Sequence, residues 1–180
     1  MNMTSAPQPA RSLSVEYLLH DHTECDALMR ELEALLDKQN AAPQWTAEYS
    51  ATYRRICGFF RETVIGHIRR EEEVLYKALE EFLPRDTGPL AVLRAEHHEI
   101  SAAFERLCAL GRAFDQGSNS PEQFAELETT GRRLIRVLQD HVYKEDRVFF
   151  PMIARYFSPD RDRFLLEQMK AIPPLPCTSQ

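Results

Sequence analysis

Four stretches of this 180-residue chain carry apolar side chains at three- and four-residue spacing, and each is far longer than a strand. The first holds Val15, Leu18, Leu19, Cys25, Leu28, Met29, Leu32, Leu35 and Leu36, and predicts a helix from about Ser14 to Gln39. Asn40-Ala-Ala-Pro43 ends it. The second passes through Tyr53, Ile56, Phe60, Val64, Ile68, Leu75 and Leu79 to near Pro84. Asp86-Thr-Gly-Pro89 then turns the chain into a third that reaches about Phe114. Beyond the loop Gln116-Gly-Ser-Asn-Ser120, the run Ser120-Pro121-Glu122-Gln123 carries the N-cap, N1 proline and N3 glutamine of a capping box. The fourth helix runs from Pro121 toward Tyr156, and Pro151, which lacks an N–H, is expected to bend it. Ser158-Pro159-Asp160 starts a short fifth helix ending near Lys170. Long amphipathic helices of about 25 to 36 residues joined by short loops pack as an antiparallel up-down bundle. The expected fold is all-α: a four-helix bundle with a short C-terminal helix over residues 13–170, between flexible tails at 1–12 and 171–180.

Composition narrows the function. With 22 basic against 28 acidic side chains the net charge is −6, and short basic pairs such as Arg69-Arg70 sit among carboxylates. A phosphate-binding surface wants clustered Lys and Arg, so nucleic acid is not an expected partner. Six glycines are too few for a turn-rich β fold. No apolar run approaches the roughly 20 residues that span a bilayer, and residues 1–14 lack the apolar core of a signal peptide, so no membrane association is expected. Cys25, Cys57, Cys108 and Cys177 are widely spaced, as expected of reduced thiols in a cytoplasmic protein.

The chain also repeats itself. His67-Ile-Arg-Arg-Glu71-Glu-Glu-Val-Leu-Tyr76 aligns with His141-Val-Tyr-Lys-Glu145-Asp-Arg-Val-Phe-Phe150, and Asp21-His22-Thr-Glu24 aligns with Glu96-His97-His98-Glu99. The offset selects His22 over His20 and His97 over His98. Residues at i and i+4 share a helix face, so His67 projects with Glu71 and His141 with Glu145. Both pairs lie on apolar stripes, as do His22 and His97. Four imidazoles and two carboxylates therefore face the bundle axis. An unpartnered buried carboxylate costs several kcal/mol or more, and no Lys or Arg on these stripes is placed to neutralise it, although Arg94 lies close to the His97 face. A metal pair satisfies all six groups. Two bridging glutamates and two histidines per metal, with an oxo or hydroxo bridge, leave a position open on an ion preferring about six ligands, such as iron or manganese.

His22, His67-x-x-x-Glu71, His97 and His141-x-x-x-Glu145 on four helices resemble the hemerythrin-like (HHE cation-binding) domain over about residues 14–157. The resemblance implies a four-helix bundle around a non-haem di-iron centre, with manganese or a mixed pair as alternatives. It implies a role with O₂, NO or peroxide in sensing, stress response or iron-centre repair. Two features depart from the oxygen-carrying members: Ser101 stands where they have a further histidine, and the last helix spaces its His and carboxylate by four rather than five. Reversible oxygen or metal binding without turnover is the alternative from another class, and a purely structural helical bundle is the third.

Neighbouring residues are read more plainly. His20 and His98 are expected to face solvent or the rim, Asp26 to be a partly exposed acid rather than an additional ligand or an acceptor for an imidazole N–H, and Cys25 to be core rather than a reactive thiol. Tyr76 and Phe150 are expected to pack, with Tyr76 a weak candidate for contact with a ligand. Glu72 and Glu73 belong to a charge run most simply read as a solvated face, although Glu72 could touch a neighbouring helix. An apolar face at Phe164, Leu165 and Met169 would cover the bundle end or form a homodimer.

Overall fold

The computed structural model describes residues 12–153, 155–173 and 175. Every regular element among them is helical. Helix α1 spans Leu13–Ala41 and is capped by the Ser12 side chain, which accepts from the Val15 N–H. Helix α2 covers 47–79, assembled from α-helical segments Ala47–Phe60, Gly66–Arg70 and Tyr76–Leu79 with π-helical turns at Arg61–Ile65 and Glu71–Leu75 between them. Helix α3 is Gly88–Asp115. Helix α4 covers 121–153, with a π-helical turn at Glu145–Phe149, and α5 is Pro159–Lys170. The capping box at Ser120 and Gln123 forms as the sequence predicts.

The four long helices pack in cyclic order, α1 on α2, α2 on α3, α3 on α4 and α4 on α1. Cross-helix contacts run in opposite senses along each pair. His22 meets His67 while Leu35 meets Tyr49, and Tyr53 meets Leu107 while Glu72 meets His97. Neighbouring helices are therefore antiparallel. Two apolar clusters fill the interior. One is built on Leu28, Leu32, Leu36, Tyr53, Phe60, Phe104 and Leu134, the other on Leu18, Leu75, Leu79, Leu90, Phe150 and Ile153. Gly111 permits the first, since a Cβ there would collide with the Tyr53 ring. No helix among the described residues is long and apolar enough to cross a membrane.

Helix α5 closes one end. Leu165 and Met169 are buried in the second cluster, whereas Phe164 stays exposed. Asp162 on the same helix is 6% exposed and grips the start of α1. Its carboxylate accepts from the Ser12 hydroxyl at 2.7 Å, the Leu13 N–H at 2.6 Å, the Ser14 N–H at 3.3 Å and the Ser14 hydroxyl. An acid at a helix N-terminus satisfies otherwise orphaned donors and opposes the helix dipole. Asp162→Ala is expected to cost about 3 kcal/mol, since charged hydrogen bonds are lost and buried donors orphaned. Equilibrium urea unfolding would measure it.

Helix α4 carries an irregular turn, the π turn Glu145–Phe149, just before Pro151, the residue expected to bend it. The equivalent turn Glu71–Leu75 is followed by Lys77 at the position matching Pro151. Proline is therefore not the common cause. What the two turns share is the glutamate that opens each of them.

Candidate metal centre

The six residues selected by the repeat converge. Exposure is 7% for His22, 5% for His67, 1% for His97, 2% for His141 and zero for Glu71 and Glu145. Ligand atoms of Glu71, His97, His141 and Glu145 all lie within 4.8 Å of one another, and so do those of His22, His67 and Glu145. Two metal-sized clusters thus share Glu145. Its Oε2 lies 3.3 Å from His22 Nε2, 3.4 Å from His141 Nε2 and 3.9 Å from His67 Nε2. Glu71 Oε2 lies 3.2 Å from His97 Nε2 and 3.5 Å from His67 Nε2.

Each imidazole is fixed from behind by a carboxylate on another helix. Nδ1 of His22 meets Asp146 at 2.7 Å, that of His67 meets Asp21 at 3.1 Å, that of His97 meets Glu72 at 2.8 Å and that of His141 meets Glu96 at 3.0 Å. A carboxylate accepts only, so it holds the proton on Nδ1 and turns the Nε2 lone pair inward. Cations back three of the four acids. Arg70 donates to Asp21 at 2.6 Å, Arg94 lies 4.0 Å from Glu72, and Lys144 donates to Glu96. Charge alternates outward from the centre: carboxylate, imidazole, carboxylate, cation.

The inner geometry asks for cations. His22 Nε2 and His67 Nε2 are 3.2 Å apart, and His97 Nε2 and His141 Nε2 are 3.1 Å apart. Two inward lone pairs at that separation repel unless a positive charge lies between them. Two nitrogens bonded to one metal at about 2.1 Å, at angles near 95–100°, are separated by about this distance. Glu71 Oε1 and Glu145 Oε2 are buried without a hydrogen-bond partner, a costly arrangement for ionised carboxylates unless a cation is coordinated. The donor set therefore fits a pair of borderline metal ions.

Protons compete for the same nitrogens. Burial disfavours the His67 imidazolium, but the charge of Glu71 and the hydrogen bond to Asp21 hold its pKa well above the usual value. Burial also opposes charge on His97, and its contacts with Glu71 and Glu72 push it up to about 9. Burial works against an ionised Glu71 as well, yet the neighbouring His67 charge holds it well below the carboxylate range.

Two expectations are sharpened. Glu72 takes the alternative of touching a neighbouring helix, bonding His97 across the α2–α3 interface. Tyr76 does more than pack. Its buried hydroxyl lies 3.1 Å from Glu145 Oε1 and 3.3 Å from Glu71 Oε2, and donates to one of them at a time. Its ring stacks on His97 as that of Phe150, its repeat mate, stacks on His22. The pseudo-symmetric centre thus has a hydroxyl on one side and a bare ring on the other. His20 and His98 are exposed, Asp26 pairs with Arg30 at the surface, and Cys25 is buried with its thiol pushed up to about 12 by desolvation, all as expected. Arg94 pairs with Glu80 at 2.8 Å and covers the Tyr76 ring.

The model of the hemerythrin HHE cation-binding domain matches residues 13–154, and the chain belongs to that family. No curated protein matches the chain at a significant level.

Proposed function

We propose that the chain is a non-haem di-iron protein of the up-down four-helix bundle type, with His22, His67, Glu71, His97, His141 and Glu145 as the ligands. The observation that supports it most is the pair of His/Glu clusters sharing Glu145, with two buried carboxylate oxygens lacking any protein donor. Manganese or a mixed pair suits the same donors. When bound, the metals would supply Lewis acidity and one-electron chemistry toward a small ligand at an open position.

The chain's own residues favour a small ligand. A cavity of about 10 Å³ adjoins His22, His67 and His141, and its other walls include Cys25, Val64, Ile68, Leu138 and Val142. Room for about one small molecule beside these histidines suits O₂, NO or peroxide. Tyr76 holds a proton beside the glutamates on the His97 side. The task is sensing, stress response or iron-centre repair with such a ligand. Anaerobic addition of NO to the reduced, iron-loaded protein should give a stoichiometric nitrosyl spectrum. An unchanged spectrum contradicts the reading.

The outer carboxylates tune affinity without supplying ligands. Replacing Asp21 or Glu96 by Ala frees a ring to rotate, and should weaken metal binding by about 10- to 100-fold while leaving the stoichiometry at saturation intact. Competition with a chromogenic chelator would measure it.

A further inference from the structure

Cys57 and Cys108 are unused by the metal centre. Cys57 sits ten residues before His67 on α2, about 15 Å along the helix axis. Cys108 on α3 lines the same groove as Cys57, which places both thiols on one side of the α2–α3 interface. Both are reduced and only partly buried. They line a groove of about 520 Å³ that also presents Arg54, Arg61 and Arg112. Two acids share the groove, Glu62 and Asp115. Asp115 accepts from the Ser50 hydroxyl at 2.5 Å and the Trp45 N–H at 2.8 Å and lies 3.9 Å from the Arg54 guanidinium. Arg54 is therefore paired, and Arg61 and Arg112 are the cations nearest Cys108.

We propose that Cys57 and Cys108 form a reversible dithiol–disulfide pair that reacts in this groove with an anionic low-molecular-weight disulfide. Chemistry distinguishes the two sulfurs. The neighbouring Cys57 thiol lowers the Cys108 thiol to about 7 against the burial that opposes it, helped by the charges of Arg61 and Arg112. The same proximity and burial raise Cys57. Cys108 is therefore the attacking thiolate and Cys57 the resolving thiol.

The Cys108 thiolate attacks one sulfur of the incoming disulfide, forms a mixed disulfide and releases one small thiolate. Cys57 then loses its proton to solvent and attacks the Cys108 sulfur, expelling the second small thiolate. The dithiol is oxidised by two electrons, and the small disulfide is reduced to two thiols. Closure brings the two sulfurs to about 2.05 Å. The arginines favour a carboxylate-bearing disulfide over a neutral one.

The test exposes the full-length, metal-loaded protein to graded glutathione disulfide and glutathione mixtures. It is then acid-quenched, alkylated, digested and mapped by mass spectrometry. A Cys57–Cys108 cross-link that grows with the oxidised fraction and reverses with glutathione is the expected result. In Cys57→Ser, a glutathione adduct should accumulate at Cys108. In Cys108→Ser, Cys57 should stay free, with circular dichroism verifying that both variants fold. Arg61→Ala with Arg112→Ala should slow the glutathione disulfide reaction about tenfold more than that of neutral hydroxyethyl disulfide. The proposal is overturned if both thiols alkylate freely at every ratio, or if Cys25 or Cys177 takes the glutathione first. Equal slowing of the two disulfides by the arginine variant overturns the anionic assignment.

Discussion

Replacing Glu71 and Glu145 together with alanine should abolish metal binding, taking the chain from an expected two ions to none. The effect is large because both clusters lose a ligand when Glu145 goes, and the Glu71 change removes the second carboxylate of the His97–His141 cluster. What remains is four imidazoles with no anion between them, a poor site for two divalent cations. The glutamine pair, Glu71→Gln with Glu145→Gln, keeps the volume and removes only the charge, so it separates lost ligation from misfolding. Elemental analysis of both variants after loading reads the outcome. Full metal occupancy in either would remove the glutamates from the centre.

Chelation of the loaded protein should lower its melting temperature by about 10 °C. A ligand held at a thousand times its dissociation constant contributes about 4 kcal/mol, and each kcal/mol moves the midpoint of a domain this size by about 2–4 °C. The effect depends on pH with a definite sign. His97 is raised to about 9 in the metal-free fold, so its contribution is fully present below its ordinary value near 6.5 and disappears as pH rises through 9. His67, also raised, acts in the same direction. Glu71 is held low, so its contribution is present above the ordinary carboxylate value and is lost as pH falls. Metal needs these rings deprotonated, and its binding releases protons as it displaces them. The gap in melting temperature between loaded and chelated protein should therefore widen from pH 6 to pH 9. Calorimetric scans at several pH values test this, and a constant or narrowing gap would contradict it.

The centre itself was legible because a repeat writes it twice. His-x-x-x-Glu at one helical turn, on an apolar stripe, specifies a buried pair, and the second copy fixes which of the adjacent histidines takes part. The shell behind it was present in the same alignment but not interpretable along one helix. Asp21 precedes His22 as Glu96 precedes His97, and Glu72 follows Glu71 as Asp146 follows Glu145. Yet Asp21 serves His67, and Asp146 serves His22, each from a different helix. Spacing within a helix does not reveal a contact across two. Recurrence of an acid at all four positions was the available signal.

Tyr76 stood only as a weak candidate for another reason. In an α-helix residues five apart differ by about 140° around the axis, which turns Tyr76 away from Glu71. The π turn at Glu71–Leu75 inserts a residue's worth of rotation and returns the ring to the glutamate's face. Amphipathic periodicity is blind to that insertion. The apolar faces of α5 were visible, and the burial of Leu165 and Met169 shows which side they cover. The anchor, Asp162 on the start of α1, rests on contacts between residues about 150 positions apart.

The most direct measurement is metal content per chain after expression with iron supplied, taken together with protein concentration from amino-acid analysis. Two iron ions per chain, lost from the glutamate variants, is the predicted result. Absence of metal, or a fraction of an equivalent of zinc that chelation removes without altering the melting temperature, would contradict it and leave the buried histidines as part of a structural bundle.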